Sequence, residues 1–400
     1  MNSKVVVIGG GYGGLRAIEF LAKNPNIDVT LIDKNPYHYL QTEAYGYIAG
    51  RFDINEIAID LEKWCDGFKK KVRFIYEEAI TIDENVKRVK TLSHEIEYDF
   101  LIIAIGAQTN FFSFIKGLRE HSYGVKNLMR AYNFRKEFEH LIYTKLQNEN
   151  DTQEINLAIG GAGLSGVEVA AEMAHVIESY SKTLGERARD IKIYLIDASE
   201  TILPGMSSFI IKNTEQRLLE LNVKILTTAF ISSVDSENIH FKDGNRLAYH
   251  FMIFTGGIKA FHIESNLQSE KNRIDQFIAD EHLNINGSKN IFAIGDCVEM
   301  RDKEKKLLPP TAQSAEKSAE YVADTIMRTI QGKTVVPFDA SMSGIFVALG
   351  GKYAVGEVFG FIKVKGYKAY LLKKAITYAY FLGLHLRINA GYKNRIRSKN

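Results

Sequence analysis

Short, uninterrupted apolar runs, each closed by glycine or aspartate, set the rhythm of the first 300 residues. Lys4-Val5-Val6-Val7-Ile8 is rich in β-branched residues and reads as a parallel strand buried on both faces. Helical spacing follows from Leu15 to Ala22, and Asn26 to Ile32 supplies a second strand that stops at Asp33. Tyr98 to Gly106, Glu154 to Ile159, Lys192 to Ile196, Phe251 to Phe254 and Ile291 to Ile294 repeat the strand pattern. Residues 53–66, 123–148, 167–184, 209–221 and 312–330 carry the periodicity of helices. Strands alternating with helices in this way predict an α/β fold on parallel sheets.

The first strand runs into Gly9-Gly10-Gly11-Tyr12-Gly13-Gly14, with G-x-G-x-x-G at Gly9, Gly11 and Gly14 and Asp33 nineteen residues beyond. Strand, glycine turn, helix, strand and closing acid are the context of a dinucleotide-binding turn. The glycines turn the chain sharply, bring backbone up to a diphosphate and let helix approach strand. The free N–H groups of the helix start then face the diphosphate. Asp33 can accept from a ribose hydroxyl, and Ala104 and Gly106 would let backbone pass close under a nucleotide. The spacing recurs at Gly161, Gly163 and Gly166, with Asp197 closing the next strand 31 residues later. A longer helix and the Gly185–Asp190 connection account for the extra length. An acid at that place favours NADH over NADPH, because a 2′-phosphate would meet a like charge. Another strand, ending in Thr255-Gly256-Gly257, belongs to this repeat, and two such units imply two nucleotides.

A returning segment follows. Ile291 to Ile294 ends in Gly295-Asp296, an acid able to bond a cofactor hydroxyl or to cap the strand as an Asx turn. Pro309-Pro310 and the N-cap candidate Thr311 open the helix at 312, whose N-terminal N–H groups would face a ligand oxygen. This segment completes the first unit, which the second interrupts.

Four hundred residues exceed one core, and 46% apolar with 25% charged residues is the composition of a soluble globular protein. Cys65 and Cys297 form no C-x-x-C pair, and no H-x-H or H-E-x-x-H occurs, so neither a disulfide framework nor a metal is indicated. The opening strand leaves no room for a signal peptide. No apolar stretch reaches the roughly eighteen residues that span a bilayer.

Charge changes the picture at the end of the chain. Residues 361–400 hold seven Lys, three Arg and no acid, a charge of +10 that leaves −7 for the rest of a chain of net +3. From Gly366 the pattern turns helical through Tyr367, Tyr370, Leu371, Leu372, Ile376, Tyr380 and Leu382, with Lys368, Lys373 and Lys374 among them and Arg387, Lys393 and Lys399 beyond. Such a segment suits a membrane interface, its cations toward anionic lipid. A helix packed on the core with a basic face in solvent is the other reading. Nucleic-acid binding is not expected behind two redox nucleotide units.

The stretches GGGYGG at 9–14, YDFLIIAIGAQTNFF at 98–112, GGAGLSGVEVAAEMA at 160–174, FAIGDC at 292–297 and PPTAQSAEK at 309–317 carry a resemblance over essentially the whole chain. It is to the type II, non-proton-pumping NADH:quinone oxidoreductases, among the flavoproteins with two dinucleotide-binding domains. The resemblance implies non-covalently bound FAD in a discontinuous domain at 1–120 and 275–335. NADH falls to an inserted domain at 121–274, and 336–400 to a platform with amphipathic membrane-anchoring helices. The FAD site would take in Gly9, Gly11, Gly13, Gly14, Asp33, Lys34, Ala104, Gly106, Asp296, Ala312 and Gln313. The NADH site would take in Gly161, Gly163, Leu164, Ser165, Gly166, Glu168, Asp197, Gly256 and Gly257. The family's glutamate near flavin and nicotinamide falls on Glu172, four residues from Glu168 on one helical face. Its A-Q-x-A-x-Q motif at the quinone end reads Ala312-Gln313-Ser314-Ala315-Glu316-Lys317, with Lys317 in place of the last glutamine.

The reaction so implied is a non-electrogenic transfer from NADH through FAD to a membrane quinone, with Glu172, Gln313 and Lys317 as the catalytic set. Its place is the cytoplasmic face of the cell membrane, held peripherally through 361–400, and homodimerisation is left open. Sulfide:quinone oxidoreductases, ferredoxin reductases and NADH oxidases share the scaffold and stand as alternatives, as does a flavin-binding protein without turnover. Disulfide reductases need a paired cysteine motif that the chain lacks.

Overall fold

The computed structural model describes residues 2–147, 154–184, 190–267, 269–285, 287–340 and 342–397. The expected connection at 185–189 and the basic residue Lys399 lie outside these residues.

The buried run at the start forms β1 (Ser3–Ile8), whose last four residues are all buried. A glycine turn leads into α1 (Tyr12–Leu21), then β2 (Ile27–Asp33). The aromatic tract that follows makes a short strand at Tyr37–Tyr39 and the wholly buried α2 (Ala44–Ile48).

Residues 53–66 do not form one helix. Asp53 and Glu56 close a capping box on Ile54–Ile57, Ala58–Asp60 then pairs as a strand with Tyr37–Tyr39, and Asp60 caps α3 (Leu61–Asp66) by accepting from the Lys63 N–H. Two N-cap aspartates seven residues apart start two helices where apolar spacing alone suggests one.

β3 (Val72–Tyr76) and β4 (Phe100–Ile103) complete the outward leg. The second leg runs β5 (Tyr123–Gly124), α4 (Leu128–Gln147), β6 (Ile155–Gly160), α5 (Leu164–Leu184), β7 (Ile191–Ile196), α6 (Ser208–Glu220), β8 (Lys224–Leu226) and β9 (Phe251–Phe254). The helix expected from residue 123 begins only at Leu128: Tyr123–Gly124 pairs with β9, and the Asn127 side chain accepts from the Arg130 N–H to start α4. The chain then returns as β10 (Ile291–Ala293) beside β4 and continues into α7 (Ala312–Ile330).

Two parallel five-stranded sheets result, in the orders β10-β4-β1-β2-β3 and β5-β9-β6-β7-β8. Each sheet has its glycine-bearing strand at the centre and its aspartate-bearing strand next to it, so the internal repeat of the sequence is a repeat of topology. Just past β4 and β9, Ala107–Thr109 and Ile258–Ala260 pair as an antiparallel ribbon that ties the two sheets together.

The C-terminal part is an antiparallel sheet, β11 (Gly344–Ala348), β12 (Ala354–Val358) and β13 (Ile362–Gly366), followed by α8 (Tyr367–Arg397). This helix inverts the usual arrangement. Its inward stripe holds Ala369, Lys373, Thr377, Tyr380 and Leu384, while Leu371, Leu372, Ile376, Tyr378, Leu382 and Leu386 are exposed. No helix of the described residues is long and apolar enough to cross a membrane.

Candidate redox-nucleotide site

The two glycine turns have the same geometry. Gly9 adopts φ +109°, and a Cβ there would lie 2.3 Å from the Ala104 carbonyl oxygen; one on Gly14 would lie within 1.8 Å of the Gly9 carbonyl oxygen. In the second turn Gly161 has φ +102°, and a Cβ would meet Gly256 at 2.6 Å, while one on Gly166 would meet the Gly161 carbonyl oxygen at 1.8 Å. Outer glycines thus seat helix on strand, with Ala104 and Gly256 as the small neighbours that permit it. The middle glycines differ: a Cβ on Gly11 or Gly163 has nothing within 4 Å. Each cradle is therefore open where a diphosphate would lie, and the N-cap of α1, Gly11, has no side-chain cap. These features fit a dinucleotide in each turn.

Asp33 and Asp197 brace the turns from within. Asp33 accepts from Gly10 N (2.6 Å) and Asn35 N (2.7 Å), and Asp197 from Ala162 N (2.6 Å) and Ser199 N (2.7 Å). Asp33 Oδ1 takes a second bond from Asn35 Nδ2 (3.2 Å), while its Oδ2 keeps a lone pair toward the turn, so the expected ribose contact and this bracing are compatible. Burial raises the Asp33 carboxyl, against the pull of these N–H groups. Lys34 points to the rim, 3.0 Å from Glu78 and over the Phe261 ring.

Around the first turn the fold gathers the returning segment. A Cβ on Gly13 would lie 3.2 Å from Ile294 and 3.3 Å from the Ala315 carbonyl oxygen, so α1, α7 and the 294–296 turn converge there. Gly295, at φ +70°, lies against Ala315. Asp296 is ion-paired with Lys126 (2.6 Å), a cation from the link between β5 and α4 that carried no sequence signal. Thr311 caps α7 by accepting from the Ser314 N–H, as its position predicts, and Gln313 accepts from Ser343 N (3.2 Å). Beside them Glu316 is pushed up to about 7 by burial; Arg16 works against this, and Glu320 and Glu19 add to it. Lys317 is half-buried.

The pair Glu168 and Glu172 does share a face of α5, and that face is buried. Glu172 is 1% exposed; its Oε1 accepts from Arg51 (2.7 Å), and its Oε2 has no hydrogen-bond partner. Glu168 accepts from Ala348 N (3.0 Å) and lies 3.4 Å from Lys373, so it is tied to the C-terminal sheet and helix. Glu43, also buried, takes Lys374 (3.3 Å) and the Thr377 hydroxyl (3.0 Å), with Lys373 at 4.0 Å. Burial opposes the Lys373 ammonium, but Glu168 and Glu43 outweigh it and hold the amine above its ordinary value. Lys373 and Lys374, expected as cations for lipid, instead face inward into this cluster. Glu43 and Arg51 carry no signal in the sequence, because their partners stand over a hundred residues away.

Tyr380 connects α8 to the first turn. His38 bonds the Gly10 carbonyl through Nδ1 (3.0 Å) and the Tyr380 hydroxyl through Nε2 (3.0 Å). Burial lowers His38 to about 4, so the ring is neutral. The carbonyl can only accept, which puts the proton on Nδ1 and makes Tyr380 the donor to Nε2. Tyr12, in the glycine turn, stacks on Tyr380 at 5.1 Å and bonds Thr42 (2.8 Å).

Residues 3–319 match the family model described as pyridine nucleotide-disulphide oxidoreductase. The type II NADH:quinone oxidoreductase of Staphylococcus epidermidis is 30% identical over 390 residues, 94% of each chain, and that of Staphylococcus aureus 29% over the same span. Among solved structures, NDH2 from Plasmodium falciparum superposes with a TM-score of 0.86 at 21% identity, covering 100% of this chain and 98% of the other. The sulfide:quinone oxidoreductase of Aquifex aeolicus gives 0.80 at 20% identity, covering 96% and 92%.

Proposed function

Since the chain belongs to the type II NADH:quinone oxidoreductases, within the pyridine nucleotide-disulphide oxidoreductase family, we propose that it oxidises NADH and reduces a membrane quinone without moving charge across the membrane. The observation that carries this reading is the glycine cradle built twice, open at Gly11 and at Gly163. FAD held in the first cradle would supply the two-electron redox chemistry that links NADH oxidation to quinone reduction.

In this reading the first cradle, with Gly9, Gly11, Gly13, Gly14 and Asp33, holds the FAD diphosphate and ribose, and Asp296 the ribityl chain. The second, with Gly161, Gly163, Gly166 and Asp197, holds NADH, and Glu172 orients the nicotinamide. Gln313 and Lys317, on the first turns of α7, hold the flavin pyrimidine end or the quinone headgroup. Residues 1–120 with 275–335 form the FAD domain, 121–274 the NADH domain and 336–400 the membrane-facing part.

The outward face of α8 supports a peripheral membrane seat. Leu372, Ile376, Leu382 and Leu386 are exposed on it, with Phe359 and Phe361 exposed at the β12–β13 tip. Apolar side chains turned outward from a helix whose inward face is charged match a surface that lies in an interface. Lys363, Lys365, Lys368 and Lys393 remain exposed to meet anionic lipid. Thiol chemistry has little support: Cys65 and Cys297 are both buried, and burial pushes the Cys297 thiol up to about 12.

An absorbance titration tests the reading. NADH should bleach the flavin band of the purified protein, and a soluble quinone analogue should restore it. Protein that stays colourless after refolding with added FAD would end the proposal.

A further inference from the structure

A groove of about 410 Å³ lies between α1 and α8. Three of the four charged side chains that line it are cations: Arg16 on α1, Lys23 just past its end, and Arg387 on α8. The one acid, Glu19, is taken by Arg16 (3.2 Å), whose Nη2 also meets Glu320 (2.5 Å). Lys23 and Arg387 have no carboxylate partner among the described residues; Lys23 lies over the Phe20 ring and Arg387 over the Phe68 ring, each at 4.2 Å. An aromatic face offers these cations no lone pair, so their N–H groups keep room for an acceptor. A Cβ on Gly383 would meet nothing within 4 Å, so the α8 wall leaves the groove open, and Leu386 forms an exposed apolar lip.

We propose that this groove seats the phosphodiester headgroup of one anionic membrane phospholipid, with Lys23 and Arg387 as its donors. The inference rests on the membrane seat proposed above for α8 and adds a defined lipid site to it. Three cations against one acid that is already paired favour an anion, and a guanidinium presents parallel N–H groups that match two phosphate oxygens. The exposed Leu386, with Leu382 one turn before it, continues the groove onto the outward face of α8, where acyl chains would lie. That continuity commits the site to a lipid over free phosphate, which gains nothing from an apolar lip. A basic pocket beside a membrane-facing helix holds a headgroup by this chemistry. A headgroup so placed joins α8 to α1, the helix that opens from the first glycine turn.

The test titrates the flavin-loaded protein with dihexanoylphosphatidylglycerol below its micelle-forming concentration. Calorimetry reads the binding, as does the fluorescence of Trp64, the chain's single tryptophan, which packs edge-on to the Phe68 ring beneath Arg387. Wild type should saturate at one lipid per chain. K23Q with R387Q should weaken binding about tenfold or more, the scale of one lost hydrogen bond between charged groups. K363Q with K368Q removes the same charge at exposed positions outside the groove and should bind as wild type does. Near-ultraviolet circular dichroism shows whether each variant is folded; where the groove double variant is not, K23Q alone, at an exposed position, carries the comparison. Equal binding of the dihexanoylphosphatidylcholine homologue, equal binding of inorganic phosphate, or an equal loss in K363Q with K368Q overturns the headgroup site. Each of these leaves the membrane seat standing so long as wild type cosediments with phosphatidylglycerol vesicles. Wild type that does not cosediment overturns the membrane seat itself.

Discussion

Lys373 on α8 lies 3.4 Å from Glu168 on α5, and its ammonium also reaches Glu43, so one cation from the end of the chain neutralises carboxylates from both earlier parts. Replacing it with methionine leaves two buried carboxylates short of a partner. Loss of one member of a buried pair costs about 3–5 kcal/mol. K373M should therefore lower the melting temperature substantially, whereas K368M, at an exposed position, should leave it nearly unchanged. Equal melting curves for the two variants would show that the inner cluster does not anchor α8.

The glycine turns separate folding from binding. Gly14→Ala and Gly166→Ala place a methyl within 1.8 Å of a carbonyl oxygen and should disrupt their turns. Gly11→Ala and Gly163→Ala meet no protein atom, so they should fold normally and fail only where ligand backbone contact is needed. Flavin retention should fall in Gly11→Ala and dinucleotide affinity in Gly163→Ala, each with wild-type circular dichroism. Full flavin occupancy in Gly11→Ala would contradict the assignment of the first turn.

Glu316 makes stability depend on pH near neutrality. Its folded value of about 7 lies above the ordinary carboxyl value of 4.5, so the folded state holds the extra proton between them. Its stabilising contribution is whole below the ordinary value and is lost as pH rises through about 7. Arg16, Glu19, Glu320, Tyr12 and Tyr380 surround it, and only Arg16 favours ionisation. E316Q should therefore gain in melting temperature relative to wild type at pH 8 and gain nothing at pH 4. A gap that does not change with pH would assign the effect to packing instead.

The outward face of α8 can be weakened without touching its inward one. L372S with I376S should cut binding to vesicles containing anionic lipid about tenfold or more, since each partly immersed aliphatic side chain contributes roughly 1 kcal/mol. Cosedimentation measures this. Serine variants that sediment as fully as wild type would move the membrane contact elsewhere.

What could be read in the chain was what backbone geometry demands locally. Gly9, Gly14, Gly161 and Gly166 are dictated by the approach of one strand to one helix, and their spacing is visible within six residues in each turn. Thr311 likewise announces its helix, because a cap acts on residues three positions away. The ion cluster could not be read, since Glu43, Arg51, Glu172 and Lys373 meet only through tertiary packing. Composition alone places Lys373 and Lys374 at the surface, because it cannot tell the two faces of a helix apart. The split of 53–66 into two helices was within reach, because Asp53 and Asp60 both carry N-cap chemistry that apolar periodicity ignores.

A single imidazole stands between the Gly10 carbonyl and the Tyr380 hydroxyl. Any pull that lifts the last helix from its seat is felt one ring away, at the first glycine turn. With the first turn as the proposed flavin cradle and α8 as the proposed membrane seat, extraction from lipid should cost yellow colour as well, and a detergent gentle toward that helix should be the one that keeps it.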